Sequence, residues 1–188
     1  MKITIEEIRE FLSRVERTTI SDGTLTRAAV LVPFFERQGE LFLLLTKRTD
    51  EVEHHKGQVS FPGGACDVDD ADIVDTALRE AEEEIGLPRA AVEVVGLFND
   101  IRTPTGFVIT PVVGFIPRLP ALRISRNEVA EILEVPVSLF LDSSNARIER
   151  RSLGGKSIEV YFYTFENSEI WGATAWIIRS MLAAIRKA

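Results

Sequence analysis

Two periods of hydrophobicity run through this chain. Apolar residues either return every third or fourth position, or fill short continuous runs. The first helical repeat is Ile8, Phe11, Leu12 and Val15, preceded by Thr4 and Glu7 at the spacing of a capping box. It predicts a helix over about 4–16, an element for packing or for a homodimer contact rather than for chemistry. Residues 27–35 read as a buried strand, and 41–46 as its hairpin partner across Gln38-Gly39. Residues 49–56 are polar and read as a loop. A second helical repeat, Val74, Ala77, Leu78, Ala81 and Ile85, ends at Gly86 in the usual C-terminal place, and Pro88 stops it.

Residues 92–98 are strand-like, and 99–106 form a loop containing Pro104 and Gly106. A strand follows at 109–116, where Pro111 favours an edge or a bulge. A proline-punctuated loop over 117–127 carries Arg118, Arg123 and Arg126. Residues 128–135 lead through Pro136 to a short helix around 137–141. Residues 147–151 and 158–165 look like a last hairpin around Gly154-Gly155. The closing helix, 173–186, has Trp176, Ile177, Met181, Leu182 and Ile185 on its apolar face. With no internal repeat and no linker, this order predicts one α/β domain over 1–188, a mixed sheet flanked by helices.

The second helix is polar in an unusual way. Four of the five residues from Glu80 to Glu84 are glutamates, and each like-charge pair a turn apart costs roughly 0.2–0.5 kcal/mol. At about 100° per residue, Glu80 and Glu84 lie within roughly 40° of each other, with Glu83 about 60° to the other side and Glu82 pointing elsewhere. Arg79 reaches Glu83 one turn on. One reading is a solvated acidic face. The other is a site for a hard divalent cation, which prefers several carboxylate oxygens. Upstream, Gly63-Gly64 makes a turn at which backbone can approach a phosphate or metal without a Cβ in the way. The acids between them, Asp67, Asp69, Asp70 and Asp72, form a polar turn, with Asp70 or Asp72 placed to cap the helix.

Composition narrows the classes. The chain has 188 residues, 45% hydrophobic and 27% charged, which is ordinary for a globular domain. A formal net charge of −7 argues against a broad nucleic-acid footprint, though local Lys and Arg can still bind a small phosphorylated ligand. The single cysteine, Cys66, forms no internal disulfide and suits the reducing cytoplasm. It has only His54 and His55 near it in sequence, so it is not read as a nucleophile. Adjacent residues on a strand point to opposite faces, so His54 and His55 do not form a metal pair either. The first residues are acidic and amphipathic, unlike a signal peptide. No apolar run approaches the ~18 residues needed to cross a bilayer.

The run Arg79-Glu80-Ala81-Glu82-Glu83-Glu84-Ile85-Gly86-Leu87 matches R-E-U-x-E-E-x-G-U, and Gly63-Gly64 stands where that box begins. The chain thus resembles the Nudix hydrolases, which cleave nucleoside diphosphates linked to another moiety. The resemblance implies the α/β/α sandwich of the Nudix fold, with the box over 63–87. It also implies that the Gly63 carbonyl, Glu80, Glu83 and Glu84 hold Mg²⁺ or Mn²⁺. One departure is visible. Asp70 occupies the acidic place after Gly64, but eight residues rather than seven separate it from Arg79, and counting back from Arg79 finds Ala71. Either one of Asp67, Asp69, Asp70 and Asp72 substitutes for the upstream glutamate, or these acids are simply the polar turn. The general base of such enzymes is often a glutamate in a later loop, for which Glu128 and Glu131 are candidates; Glu80 acting through the metal is another.

The resemblance extends beyond the box, over about 27–184. Leu44-Leu45-Thr46-Lys47-Arg48-Thr49, then His55 and Gly57-Gln58-Val59-Ser60-Phe61-Pro62-Gly63-Gly64, are similar to the signature preceding the box in coenzyme A pyrophosphatases. So are the stretches 105–114, 127–131 and 170–175, and the extra residue in the box. The implied reaction is cleavage of CoA, or an acyl or oxidised CoA, to 3′,5′-ADP and 4′-phosphopantetheine or its derivative. CoA carries a 3′-phosphate that a cationic cluster should receive; Lys47, Arg48, His55 and Lys56 are the candidates. Trp171 could stack an adenine, although beside Gly172 it also suits a buried structural role. The alternatives are hydrolysis of ADP-ribose or another nucleoside diphosphate derivative, and a Nudix-fold binding module without turnover.

Overall fold

The computed structural model describes residues 2–49, 57–153 and 155–187. Helix α1 (Ile5–Arg14) starts with the capping box the sequence predicts. Thr4 accepts from the Glu7 N–H, and the Glu7 carboxylate accepts from the Thr4 N–H at 2.8 Å. The helix buries Ile5, Ile8 and Phe11. Strands β1 (Thr26–Arg37) and β2 (Glu40–Arg48) follow as a hairpin. Its two turn residues, Gln38 and Gly39, both have positive φ, matching the twist of the strands they join.

Next come β3 (Val59–Ser60), β4 (Gly63–Ala65) and α2 (Ile73–Ile85), then β5 (Glu93–Leu97), β6 (Ile101–Arg102) and β7 (Phe107–Ile116). Strand β8 (Val129–Pro136) leads into the short α3 (Ser138–Leu141). Strands β9 (Ala146–Leu153), β10 (Lys156–Phe165) and β11 (Ser168–Ile170) form a separate antiparallel sheet, and α4 (Gly172–Ile185) closes the chain. The main sheet is mixed. Its spine runs β3-β2-β1-β7-β5, with β1 and β7 parallel; β4 joins β1, β6 joins β7, and β8 lines the outer edge of β2.

The hairpin splays. Strands β1 and β2 pair with each other only near their turn; farther along, β1 pairs with β4 at Ala28–Val30 and β2 with β3 at Thr46–Lys47. The Gly63-Gly64 pair, on β4, is thereby wedged into the fork between two central strands. Strict alternation divides the sheet into two faces. Ala29, Leu31, Phe35, Leu44, Val112 and Val129 pack under Ala77, Ala81 and Ile85 of α2. Val32, Phe34, Leu43, Leu45, Val113 and Leu133 meet α1, α4 and the small sheet on the other side. The result is an α/β/α sandwich, in which each fully buried Leu, Ile or Phe contributes about 1.5–3 kcal/mol.

Four expectations need correction. Gly63 and Gly64, expected as a turn, are residues of strand β4 paired with β1. The loop at 99–106 contains the two-residue strand β6. Trp176 is 46% exposed rather than on the apolar face of α4. Pro111 is not on an edge strand, since β7 lies between β1 and β5. Its carbonyl accepts from the Phe98 N–H at 2.9 Å, so the position lacking an N–H turns to the same side, where the neighbouring strand is interrupted between Leu97 and Ile101.

Candidate active site

Helix α2 is built to present its acids at the fork. Asp72 caps it, accepting from the Val74 and Asp75 N–H groups at 2.8 Å. Gly86 ends it at φ +64°, its N–H returning to the Ala81 and Glu82 carbonyls. Burial of Ala77, Ala81 and Ile85 against the sheet then fixes the helix rotation, which brings Glu80 and Glu84 toward Gly63 and Gly64 on β4. The Glu80 carboxylate occupies the space that a side chain on Gly64 would need, and the Gly63 N–H faces the Glu84 carboxylate.

Glu84 is buried, and one of its carboxylate oxygens has no hydrogen-bond partner. Desolvation pushes its pKa up to about 8 despite the nearby Arg48; Glu80 and Glu128 add to the rise. Desolvation raises Glu80 as well, opposed by Arg79, with Glu83 and Glu128 pushing further up. Glu83 lies at the rim, with a largely exposed side chain. A buried carboxylate oxygen with no donor, among acids that raise one another, is a donor set suited to a hard cation. Among the described residues no group of three or more His, Cys, Asp or Glu side chains is already gathered closely enough to hold a metal ion.

Arg79 organises the acids. Its Nε donates to Asp70 at 2.7 Å and its Nη2 to the other Asp70 oxygen at 3.0 Å. Its Nη1 donates to Glu80 at 2.8 Å and Glu83 at 3.1 Å. The Arg79 guanidinium holds the Asp70 carboxyl far below the usual carboxylate range. Asp70 also accepts from the Thr76 hydroxyl and the Asp67 N–H. It therefore does not cap the helix; it tethers the arginine that holds two of the glutamates. The sequence contains both residues, but no periodicity connects positions nine apart across a loop.

The base candidates separate. At the start of β8 the ladder slips by one residue: Lys47 pairs with Glu131 and Arg48 with Val129, leaving Ala130 as a bulge. Residues 129 and 131 therefore lie on opposite faces. Val129 packs on the α2 side, and Glu131 shares the α4 side with Lys47. Glu128, just before the bulge, faces Glu80 and Glu84 closely enough to disfavour their ionisation.

The proposed cation cluster is split as well. Arg48 lies on the α2 face beside Glu84, with a buried Nε that has no acceptor. Lys47, one residue earlier on β2, belongs to the other face. His55 and Lys56, with His54, lie outside the described residues. Trp171 is half-buried rather than buried, stacking on Phe162 with ring centroids 5.6 Å apart and Arg151 over both rings.

Comparisons with known proteins follow the same line. The NUDIX domain model matches residues 25–152. The "uncharacterized Nudix hydrolase NudL" of Citrobacter koseri is 42% identical over 183 residues, covering 94% of this chain and 93% of that protein. The protein of the same name from Yersinia enterocolitica is 39% identical over 178 residues, covering 93% and 91%. Among solved structures, a MutT/nudix family protein from Enterococcus faecalis superposes with a TM-score of 0.59 at 16% identity, covering 100% of this chain and 76% of that one. A Caenorhabditis elegans Ap4A hydrolase superposes at 0.51 and 15% identity over 61% of this chain and 82% of that one, a likeness of fold alone. With its box on α2, its glycine pair on β4 in the fork and these relatives along nearly its whole length, the chain belongs to the Nudix hydrolase family.

Proposed function

We propose that this protein hydrolyses the diphosphate linkage of coenzyme A or a CoA derivative, releasing 3′,5′-ADP and 4′-phosphopantetheine or its derivative. Glu80 and Glu84, with Glu83 at the rim and the Gly63 backbone beside them, are the residues that would hold Mg²⁺ or Mn²⁺. A bound cation there would withdraw charge from the phosphoryl oxygens and make water a better nucleophile. Glu128 takes the proton of the attacking water as its oxygen bonds to phosphorus and the bridging P–O bond breaks. Glu131 takes no part, because the bulge turns it to the other face.

Arg48 carries the substrate reading. It belongs to the stretch resembling the CoA pyrophosphatase signature, and its buried Nε lacks an acceptor beside the acidic cluster. A substrate phosphate supplies both acceptor and counter-charge, and a guanidinium meets it with directed donors. Lys47 lies on the opposite face, so Arg48 is the cation of the pair placed to do this. His55 and Lys56 remain candidates for the 3′-phosphate.

Incubation with Mg²⁺ or Mn²⁺ and either CoA or ADP-ribose, followed by product chromatography, tests the assignment. Release of 3′,5′-ADP from CoA is expected. Preferential cleavage of ADP-ribose would move the substrate to another nucleoside diphosphate derivative, and no cleavage of either would favour a binding module.

A further inference from the structure

The last turn of α2 serves two purposes. Glu84 sends its carboxyl toward the acid cluster, while its carbonyl accepts from the Ser125 N–H at 2.8 Å. The next carbonyl, Ile85, accepts from the Arg123 N–H at 2.9 Å. The final carbonyls of an α-helix lack partners inside it, and a segment distant in sequence supplies two. From there the chain folds back, the Ser125 carbonyl accepting from Glu128 at 3.0 Å and Val129 at 2.8 Å. On the far side, the Thr49 N–H donates to the Glu128 carbonyl at 3.0 Å and its hydroxyl to the Asn127 carbonyl at 3.2 Å. The backbone bearing Glu128 is thus clamped between the end of α2 and the end of β2.

Gly86 permits the close approach. A Cβ there would stand 3.0 Å from the Arg123 carbonyl oxygen, 3.1 Å from its nitrogen and 3.2 Å from its Cβ, at a φ of +64°. Two of those atoms are backbone, which cannot swing aside as a side-chain end does. Any side chain at 86 therefore requires the backbone at Arg123 to give way by a few tenths of an ångström. The shift passes through Ser125 to Glu128.

We propose that residues 123–128 are a positioning brace, in which Gly86 on one side and the Thr49 hydroxyl on the other set where the Glu128 carboxylate stands relative to Glu80 and Glu84. The proposal rests on Glu128 being the base. Gly86 and Thr49 are positioning residues, and neither side chain touches the reacting atoms. Loosening the brace moves the proton acceptor while leaving the cation's ligands on α2 where they are.

A double-mutant cycle tests this. Gly86→Ala and Thr49→Val are each made in the wild-type and Glu128→Gln backgrounds, and kcat, KM and Mn²⁺ binding are measured with CoA and with ADP-ribose. Each change alone should lower kcat by about tenfold, a share of the 10²–10⁴ that a general base supplies. KM and Mn²⁺ binding should stay within about twofold. Neither should lower the activity of Glu128→Gln further. The same fractional loss in both backgrounds would overturn the brace and leave the base assignment standing. Full activity of Glu128→Gln, or no turnover of either substrate by the wild type, would overturn the underlying reading and the brace with it. Should Gly86→Ala fail to fold by circular dichroism, Thr49→Val decides, and an unchanged kcat there refutes the proposal.

Discussion

A Cβ on Gly64 would stand 2.6 Å from both carboxylate oxygens of Glu80. The obstructing atoms are the far end of a flexible side chain, so a larger residue can fit if the carboxylate swings away. Gly64→Ala should therefore leave the fold intact, with stability changed by less than about 1 kcal/mol. Displacing the acid by an ångström should cost on the order of 10²-fold in turnover. Thermal melting and steady-state kinetics on one preparation separate the two effects.

Glu84 should show the opposite trade. A buried carboxyl with an unpartnered oxygen destabilises the metal-free fold. Glu84→Gln should raise the melting temperature of metal-free protein, by roughly 1–3 kcal/mol in stability, while weakening Mn²⁺ binding and abolishing turnover. A variant that melts lower than wild type without metal would show that Glu84 is not under strain.

Asp70 acts through Arg79. Asp70→Asn should free the guanidinium and lower kcat by about 10–100-fold, as loss of a residue behind a metal ligand does. Arg79→Lys should not substitute, because one ammonium cannot span Asp70, Glu80 and Glu83 together. Activity of Asp70→Asn within twofold of wild type would argue against the tether.

Asp100 sets an acid limit on stability. Burial pushes its carboxyl up, but the Ile20 N–H, the Thr110 hydroxyl and Arg17 more than offset that, holding it below its ordinary value. A depressed folded pKa contributes stability that is present above the unfolded value of about 3.9 and lost as pH falls through the folded one. Melting temperature should therefore drop below about pH 4 in wild type. In Asp100→Asn the drop should be smaller, from a baseline some 3–5 kcal/mol less stable because Arg17 loses its buried partner.

Much of this was legible in the sequence. The capping box at Thr4 and Glu7, the β1–β2 hairpin and the core face of α2 all follow from local patterns of turn and apolar residues. The acid cluster was legible for the same reason, since Glu80 and Glu84 share a face by helical period alone. What escaped depends on registers no single segment encodes. Glu128 and Glu131 look equivalent until the ladder against β2 slips by a residue, and Lys47 and Arg48 read as one cluster until their strand turns them to opposite faces. Pro111 suggests an edge until a break in the neighbouring strand accommodates it.

That slip at Ala130 also makes the local bend of β8 a matter of chain length. Removing Ala130 would leave Glu131 opposite Lys47 and Val129 opposite Arg48 in a continuous ladder, so the strand would lose its kink and extra twist rather than its span. A single-residue deletion would thus change the angle from which residue 128 leaves the sheet, with the pairs on both sides kept.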